Sequence, residues 1–143
     1  MSDAPRSRRG LYTVRVLYQD TDQARVVHHA TYFRYLEAAR LEMWRTNGFS
    51  YDAFEKETGL GLPVVEVKMR YRSSARFDDV VVVETWVDVA TRASVWLGAT
   101  ISRDHVVLVE SKVRLACASL DRGEIRRIPS VLLDACLEPG HGV

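Results

Sequence analysis

Between Leu11 and Tyr18 the chain alternates apolar and polar side chains, with Tyr12, Val14, Val16 and Tyr18 on one side and Thr13 and Arg15 on the other. A period of two puts successive side chains on opposite faces, so this stretch predicts a half-buried strand. The period then changes. Tyr32, Tyr35, Leu36, Ala39 and Met43 recur at helical spacing, with Ala38, Leu41 and Trp44 widening the apolar surface, which predicts one long helix from Thr31 to Thr46. Thr31 is the expected N-cap and Asn47-Gly48 the expected stop, without a capping box because Arg34 stands where a glutamate is needed. A second, short helix is expected from its cap Ser50 to Glu57, ending before Gly59 and Gly61.

After Pro63 the period returns to two. Val65, Val67, Met69 and Tyr71 oppose Glu66, Lys68, Arg70 and Arg72; Val81, Val83, Val87 and Val89 share a face, as do Ala93, Val95, Leu97, Ala99 and Ile101, and then Val107, Val109, Val113, Leu115 and Cys117. Asp78-Asp79, Ala90-Thr91-Arg92 and Arg103-Asp104-His105 supply turns, so successive strands are expected as antiparallel neighbours. Strands this long must twist and curl. A curled antiparallel sheet of about five strands, wrapped around one long central helix, is the α+β architecture the pattern predicts.

Composition narrows the picture. At 143 residues, with 47% hydrophobic and 27% charged residues, the chain suits a single domain. A net charge of +1 excludes the whole-molecule field that accompanies generic nucleic-acid or membrane binding, so any anion must be held locally. Cys117 and Cys136 form no CxxC pair and are too few for a disulfide scaffold. MSDAPRSRRG leads into no apolar run, so residues 1–10 are expected as a flexible tail, not a secretory signal. The most apolar stretch, Val80 to Val89, contains Glu84 and Asp88, which excludes an integral membrane segment there. A cytoplasmic location is expected.

The candidate chemistry lies in YQDTDQARVVHHATYFRYLEAAR, Tyr18 to Arg40. Asp20, Asp22, His28 and His29 are ligand-type side chains, but adjacent histidines lack the one-face spacing of a zinc site, and Arg25 stands where a calcium loop needs glycine. No metal is expected. There is no GxSxG elbow, and Cys117 falls on an inward strand position, where cysteine is an inert small core residue. One reading makes the segment a polar turn capped by its aspartates. The other starts from its position: a loop entering a buried helix presents backbone N–H groups and the positive end of the helix dipole to a carbonyl oxygen, with a carboxylate at hand to attack or to activate water.

YQDTDQARVVHHATYFRYLEAARLE resembles the signature of the hot-dog-fold acyl-CoA thioesterases of the 4-hydroxybenzoyl-CoA thioesterase family, in particular their Tol-Pal-associated group. Tyr71-Arg72-Ser73-Ser74-Ala75-Arg76-Phe77-Asp78-Asp79 resembles a later step of the same pattern. The likeness runs from about Tyr12 to Pro129. It implies a hot-dog domain over 11–130, followed by a C-terminal extension over 131–143. It also implies that Asp22 is the catalytic carboxylate, that His29 and the N–H of Ala30 meet the carbonyl, and that Tyr18 and Tyr32 flank the acyl group. Glu37 matches a helix glutamate with a catalytic or a structural role. Two positions depart from the pattern: Gln23-Ala24-Arg25 replaces a glycine-containing turn, and Ser74 replaces proline. Arg25 must therefore accept a strained backbone or reshape the loop, and its guanidinium is available to an anionic substrate group.

The expected reaction is hydrolysis of an acyl-CoA or acyl-carrier-protein thioester to a free acid and thiol, with Asp22 as general base or as nucleophile and no cofactor. Arg76, Arg126 and Arg127 are candidates for the coenzyme A phosphates. A long edge strand calls for a partner, and the resemblance implies a homodimer, paired into a dimer of dimers. The alternatives are a non-catalytic acyl- or CoA-binding module and a hot-dog dehydratase using a histidine with Glu37.

Overall fold

The computed structural model describes residues 9–136. In chain order the elements are β1 (Arg9–Arg15), α1 (His29–Thr46), α2 (Tyr51–Thr58), β2 (Leu60–Gly61), β3 (Val64–Tyr71), β4 (Val80–Ala90), β5 (Ser94–Arg103), β6 (Val106–Ser119), β7 (Ile125–Arg126) and α3 (Ser130–Cys136). The five long strands form an antiparallel sheet in the order β1, β4, β5, β6, β3, and the two-residue strands β2 and β7 extend it along the end of β6. This is the hot-dog architecture, with α1 as its filling.

A row of small side chains explains how α1 comes so close to the sheet. Gly10, Thr85, Ala99 and Ser111 stand opposite one another across β1, β4, β5 and β6. A Cβ at Gly10 would fall 2.6 Å from the Cβ of Met43, so only glycine admits the helix there. Around this row two buried clusters fill the interior. One gathers Val16, Tyr32, Tyr35, Leu36, Val81, Val83 and Ile101 beneath the first half of α1; the other gathers Met43, Trp44, Phe49, Phe54, Val95 and Leu115 beneath the second half.

Several expectations are corrected. β1 begins at Arg9, two residues inside the expected tail, and residues 1–8 lie outside the described residues. It also stops at Arg15: Tyr18 sits in a 3-10 turn, Tyr18–Asp20, and is exposed, because the Asp20 carboxylate accepts the Leu17 N–H and bends the chain. α1 starts at His29 with His28 as a cap that makes no side-chain bond, so Thr31 lies inside the first turn and is not the N-cap. α2 starts as expected, with Ser50 Oγ accepting the Ala53 N–H at 3.2 Å, and Gly59 follows it at φ +68°.

Consecutive strands are neighbours for β4, β5 and β6, but β3 pairs with β6 and not with β4. Residues 72–79 therefore cross from one side of the sheet to the other. A bulge between Val87 and Val89 turns Val89 outward, off the face it was expected to share. Part of the expected C-terminal extension belongs to the core. α3 buries Leu132, Ala135 and Cys136 against the second cluster, the Trp44 indole N–H reaches Cys136 Sγ at 3.4 Å, and residues 137–143 lie outside the described residues. Periodicity missed α3 because a single seven-residue helix offers too few repeats.

Candidate active site

Asp20 fixes the entrance to α1. It is buried; Oδ2 accepts the Leu17 N–H at 2.9 Å and the Tyr35 hydroxyl at 2.8 Å, and Oδ1 accepts the Arg34 guanidinium. Burial, the largest single influence, pushes this carboxyl up. The hydrogen bonds from Leu17, Tyr35 and Arg34, together with the Arg34 charge, outweigh it and hold the carboxyl below its usual range. Its backbone carbonyl also accepts the His28 N–H at 3.1 Å. Every polar atom of Asp20 is engaged in scaffolding, and it ties the 3-10 turn to the first turns of α1.

From that anchor the chain makes a small closed loop. Thr21 pairs with Val27, the Asp22 N–H donates to the Val26 carbonyl at 3.0 Å, and the Arg25 N–H donates to the Asp22 carbonyl at 2.9 Å. Asp22 is exposed at the start of this loop. Its Oδ1 accepts the Ala24 N–H at 2.8 Å and, more weakly, the Val26 N–H at 3.4 Å; Oδ2 accepts nothing among the described residues. One oxygen thus orients the carboxylate and the other is free to act.

The loop is held from outside by the crossing segment. The Val27 N–H donates to the Ala75 carbonyl at 2.9 Å, Val26 pairs with Arg76, and the Phe77 N–H donates to the Arg25 carbonyl at 2.9 Å. Arg25 adopts φ +64°, so of the two outcomes open to it the strained backbone is realised. Its guanidinium lies 5.0 Å from the centroid of the Phe77 ring, and Tyr18 meets that same ring edge-on at 5.3 Å. Arg25 and Tyr18 therefore clamp Phe77. Arg76, one residue earlier and opposite Val26, lies on the other face of this small ribbon.

His29 opens α1 with its ring stacked on Tyr71 at 4.0 Å and an interplanar angle of 10°. Tyr71 in turn leans on Tyr32 at 5.7 Å. Tyr32 is fully buried and its hydroxyl accepts the Ala75 N–H at 3.0 Å, so it supports the site from within and does not border an open acyl channel in the single chain. Burial pushes the Tyr32 hydroxyl above its usual value. The N–H groups of His29 and Ala30 open the helix and donate to no carbonyl among the described residues, which leaves the positive end of α1 available to an oxyanion.

The remaining candidates lie elsewhere. Glu37 is exposed and eight residues into α1, about 12 Å along the axis from His29. Arg40 beside it is partly buried; desolvation pulls its pKa down and the Glu37 charge pulls it back up. Arg126 and Arg127 are exposed near β7, where Arg126 is bound to Glu124 at 2.6 Å. β7 pairs at Cys117, whereas Tyr71 pairs at Val109, so about 26 Å of β6 separates this cluster from the helix entrance. Within one chain these two arginines are not brought to Asp22.

Two participants were not singled out from the sequence. Tyr71 and Phe77 both lie in the Tyr71-to-Asp79 segment, where Arg76 and the replacement at Ser74 drew attention and Asp78-Asp79 was read only as a turn. Asp79 does serve there: it accepts Arg103 at 2.6 Å and the Arg76 N–H at 2.8 Å, and these bonds outweigh the effect of burial and lower its pKa. Cys117 is buried, which pushes its thiol up and fits an inert core residue.

Comparison with known proteins gives a consistent result. Residues 16–136 match the model of the thioesterase-like superfamily. The chain is 33% identical over 111 residues to the acyl-CoA thioesterase YbgC of Haemophilus influenzae, covering 78% of this chain and 82% of that one. Among solved structures it superimposes on the hypothetical protein TT1821 of Thermus thermophilus with a TM-score of 0.81 and 34% identity, covering 89% and 94% of the two chains. A DHNA-CoA thioesterase from Staphylococcus aureus gives 0.82 at 26% identity, covering 88% and 85%.

Proposed function

This chain belongs to the thioesterase-like superfamily, and from that premise we propose that it is an acyl-CoA thioesterase, converting a thioester and water to a carboxylic acid and a thiol. The observation that carries the reading is the pairing of an oriented carboxylate with a helix entrance whose first N–H groups donate to no carbonyl among the described residues. Asp22 has one oxygen held by the Ala24 N–H and one free, and the N–H groups of His29 and Ala30 lie just beyond the same loop.

In this reading the thioester carbonyl accepts the helix-entrance N–H groups, which stabilise the oxyanion by roughly 3 kcal/mol per well-placed donor. The free oxygen of Asp22 either deprotonates an attacking water, so that the tetrahedral intermediate collapses to the acid with loss of the thiolate, or adds to the carbonyl itself, expelling the thiolate and leaving a mixed anhydride that water then hydrolyses to the acid and the free carboxylate. In both routes the thiolate takes up the proton given by water. The Tyr71 stack keeps the His29 ring in one orientation beside the reacting group. Arg25 and Tyr18 hold the loop through Phe77, and Arg76 beside it is exposed. The chemistry needs no cofactor.

Among the described residues β3 pairs on one side only, with β6, and its other edge, with Val64 and Val65 exposed, supports an edge-to-edge homodimer; a dimer of dimers follows from the family resemblance. Two buried cysteines that form no disulfide with each other fit a cytoplasmic location, and no helix among the described residues is long and apolar enough to cross a membrane. The test is free-thiol release from a panel of acyl-CoAs and acyl-carrier-protein thioesters. Hydrolysis that collapses in Asp22→Asn supports the assignment; a panel that binds but is never hydrolysed makes the chain an acyl-binding module.

A further inference from the structure

On the concave face of the sheet α1 packs nearest to β1 and β4, at one edge. The strand at the other edge, β3, is left half-open. Its inward side chains Val67, Met69 and Tyr71 stand opposite the buried Val113, Ser111 and Val109 of β6, yet Val67 and Met69 are only half-buried and Tyr71 is exposed. A trough therefore runs between the flank of α1 and β3, and it starts at Tyr71, on which His29 stacks.

Two polar groups in the wall of this trough lack partners. Arg40, on the flank of α1, forms no hydrogen bond or ion pair among the described residues; Glu37 and Tyr51 act on it through charge alone. Ser111 is buried, and its hydroxyl has no hydrogen-bond partner among the described residues. Thr85 beside it is already committed, its hydroxyl donating to the Gly98 carbonyl at 3.1 Å. Arg40, Ser111 and Thr85 share a hollow of about 10 Å³, room for one oxygen-sized group. On its other side Arg40 borders a cavity of about 300 Å³ with Glu37, Tyr51 and Leu62.

A half-buried guanidinium and a buried hydroxyl left open are both costly, and one carboxylate satisfies both. One of its oxygens enters the hollow between Ser111 and Arg40, and the other lies on the guanidinium fork. The spacing suits a substrate already held at the helix entrance. Ser111 stands opposite Met69, and Met69 is two residues, about 7 Å, from Tyr71 on the same face of β3. A long side chain on a helix leans toward the N-terminus, so the Arg40 guanidinium points back along α1 toward His29. A short acyl chain spans that gap.

We infer that Arg40, with Ser111, sets substrate choice by receiving the carboxylate at the far end of a short dicarboxylic acyl group whose thioester carbonyl lies at the entrance to α1; the inference rests on the thioesterase reading. The test compares thioesters of equal length with and without that carboxylate: glutaryl-, adipoyl- and suberoyl-CoA against pentanoyl-, hexanoyl- and octanoyl-CoA, by free-thiol release from the full chain. The wild type favours at least one dicarboxylic member over its match by about tenfold or more in kcat/KM. In Arg40→Met that ratio falls about tenfold or more, through KM, and Arg40→Lys restores part of it.

Because each ratio is taken on one preparation, a loss of folded protein cancels from it. Ser111→Ala lowers the ratio a few-fold while the thermal midpoint holds or rises, since the hydroxyl removed has no partner in the free chain. A wild type that favours no dicarboxylic member, or a ratio unchanged in Arg40→Met, overturns the proposal. A chain that hydrolyses no acyl-CoA at all overturns the thioesterase reading instead. Titration calorimetry of the wild type and Arg40→Met with adipoyl-CoA and hexanoyl-CoA then still decides the role of Arg40: a preference for adipoyl-CoA that the variant loses sustains it, and equal binding of the two overturns it.

Discussion

The two ends of α1 are built on different terms. At its second half, Met43 and Trp44 pack with Phe49, Phe54, Leu132 and Cys136 in a buried apolar cluster. At its first half the helix begins without a side-chain cap, beside a buried carboxylate, a loop with Arg25 at φ +64° and two N–H groups that donate to nothing in the described chain. One end stores stability, and the other keeps polar groups unsatisfied and spends stability on arrangement. Strain and open donors gather where a ligand can use them, and packing elsewhere sustains them.

Substitutions at the two ends should therefore separate activity from stability. The largest effect is expected for Asp22→Asn, which keeps the shape of the loop and removes the base: thioester hydrolysis falls about 10²–10⁴-fold while the melting temperature stays near that of the wild type. Full activity in this variant would remove Asp22 from the reaction. At the opposite end Trp44→Ala costs about 3–5 kcal/mol in denaturant unfolding, by loss of burial and creation of a cavity. Gly10→Ala, which forces a methyl group against Met43, costs about 1–3 kcal/mol by overpacking and is read in the same assay.

The Asp20 anchor gives a smaller effect with a definite sign. Its folded pKa is lowered below the ordinary 3.8, so the stability it contributes is present above that value and is lost as pH falls through the lowered one. Unfolding midpoints should be steady near neutrality and drop on acidification below about pH 4. Tyr35→Phe, which removes one donor to Asp20, should flatten that acid dependence; an unchanged slope would mean that Asp20 is not its source. Arg25→Gly is expected to change stability least, within about 0.5 kcal/mol, because relief of the left-handed backbone offsets the lost contact with Phe77. A loss above about 2 kcal/mol would show that the Arg25–Phe77–Tyr18 clamp dominates the loop.

The helix and the long strands were legible because each repeats a period of 3.6 or 2 over many residues. The loop and helix entrance that make up the candidate site were legible in part. Asp22, His29 and Ala30 stood out through a local motif, and the strained outcome at Arg25 was one of two that its replacement of glycine allowed. Burial of Tyr32 was not legible, because an aromatic residue beside a polar loop looks the same in sequence whether it borders a channel or, as within this chain, accepts a backbone N–H from inside the core. Arg126 and Arg127 were put forward by their charge, which carries no distance, and within one chain they lie far along β6 from the helix entrance.

By itself, then, the sequence determined what local interactions determine: the elements, the apolar faces, and a carboxylate next to a helix entrance. Only the tertiary structure decided that β3 lies beside β6, that residues 72–79 cross to grip the Asp22 loop, that Tyr71 underlies His29, and that α3 completes the core. These pairings join residues tens of positions apart. They are set by which edges and faces can be buried together, a property of the whole sheet and not of any stretch within it.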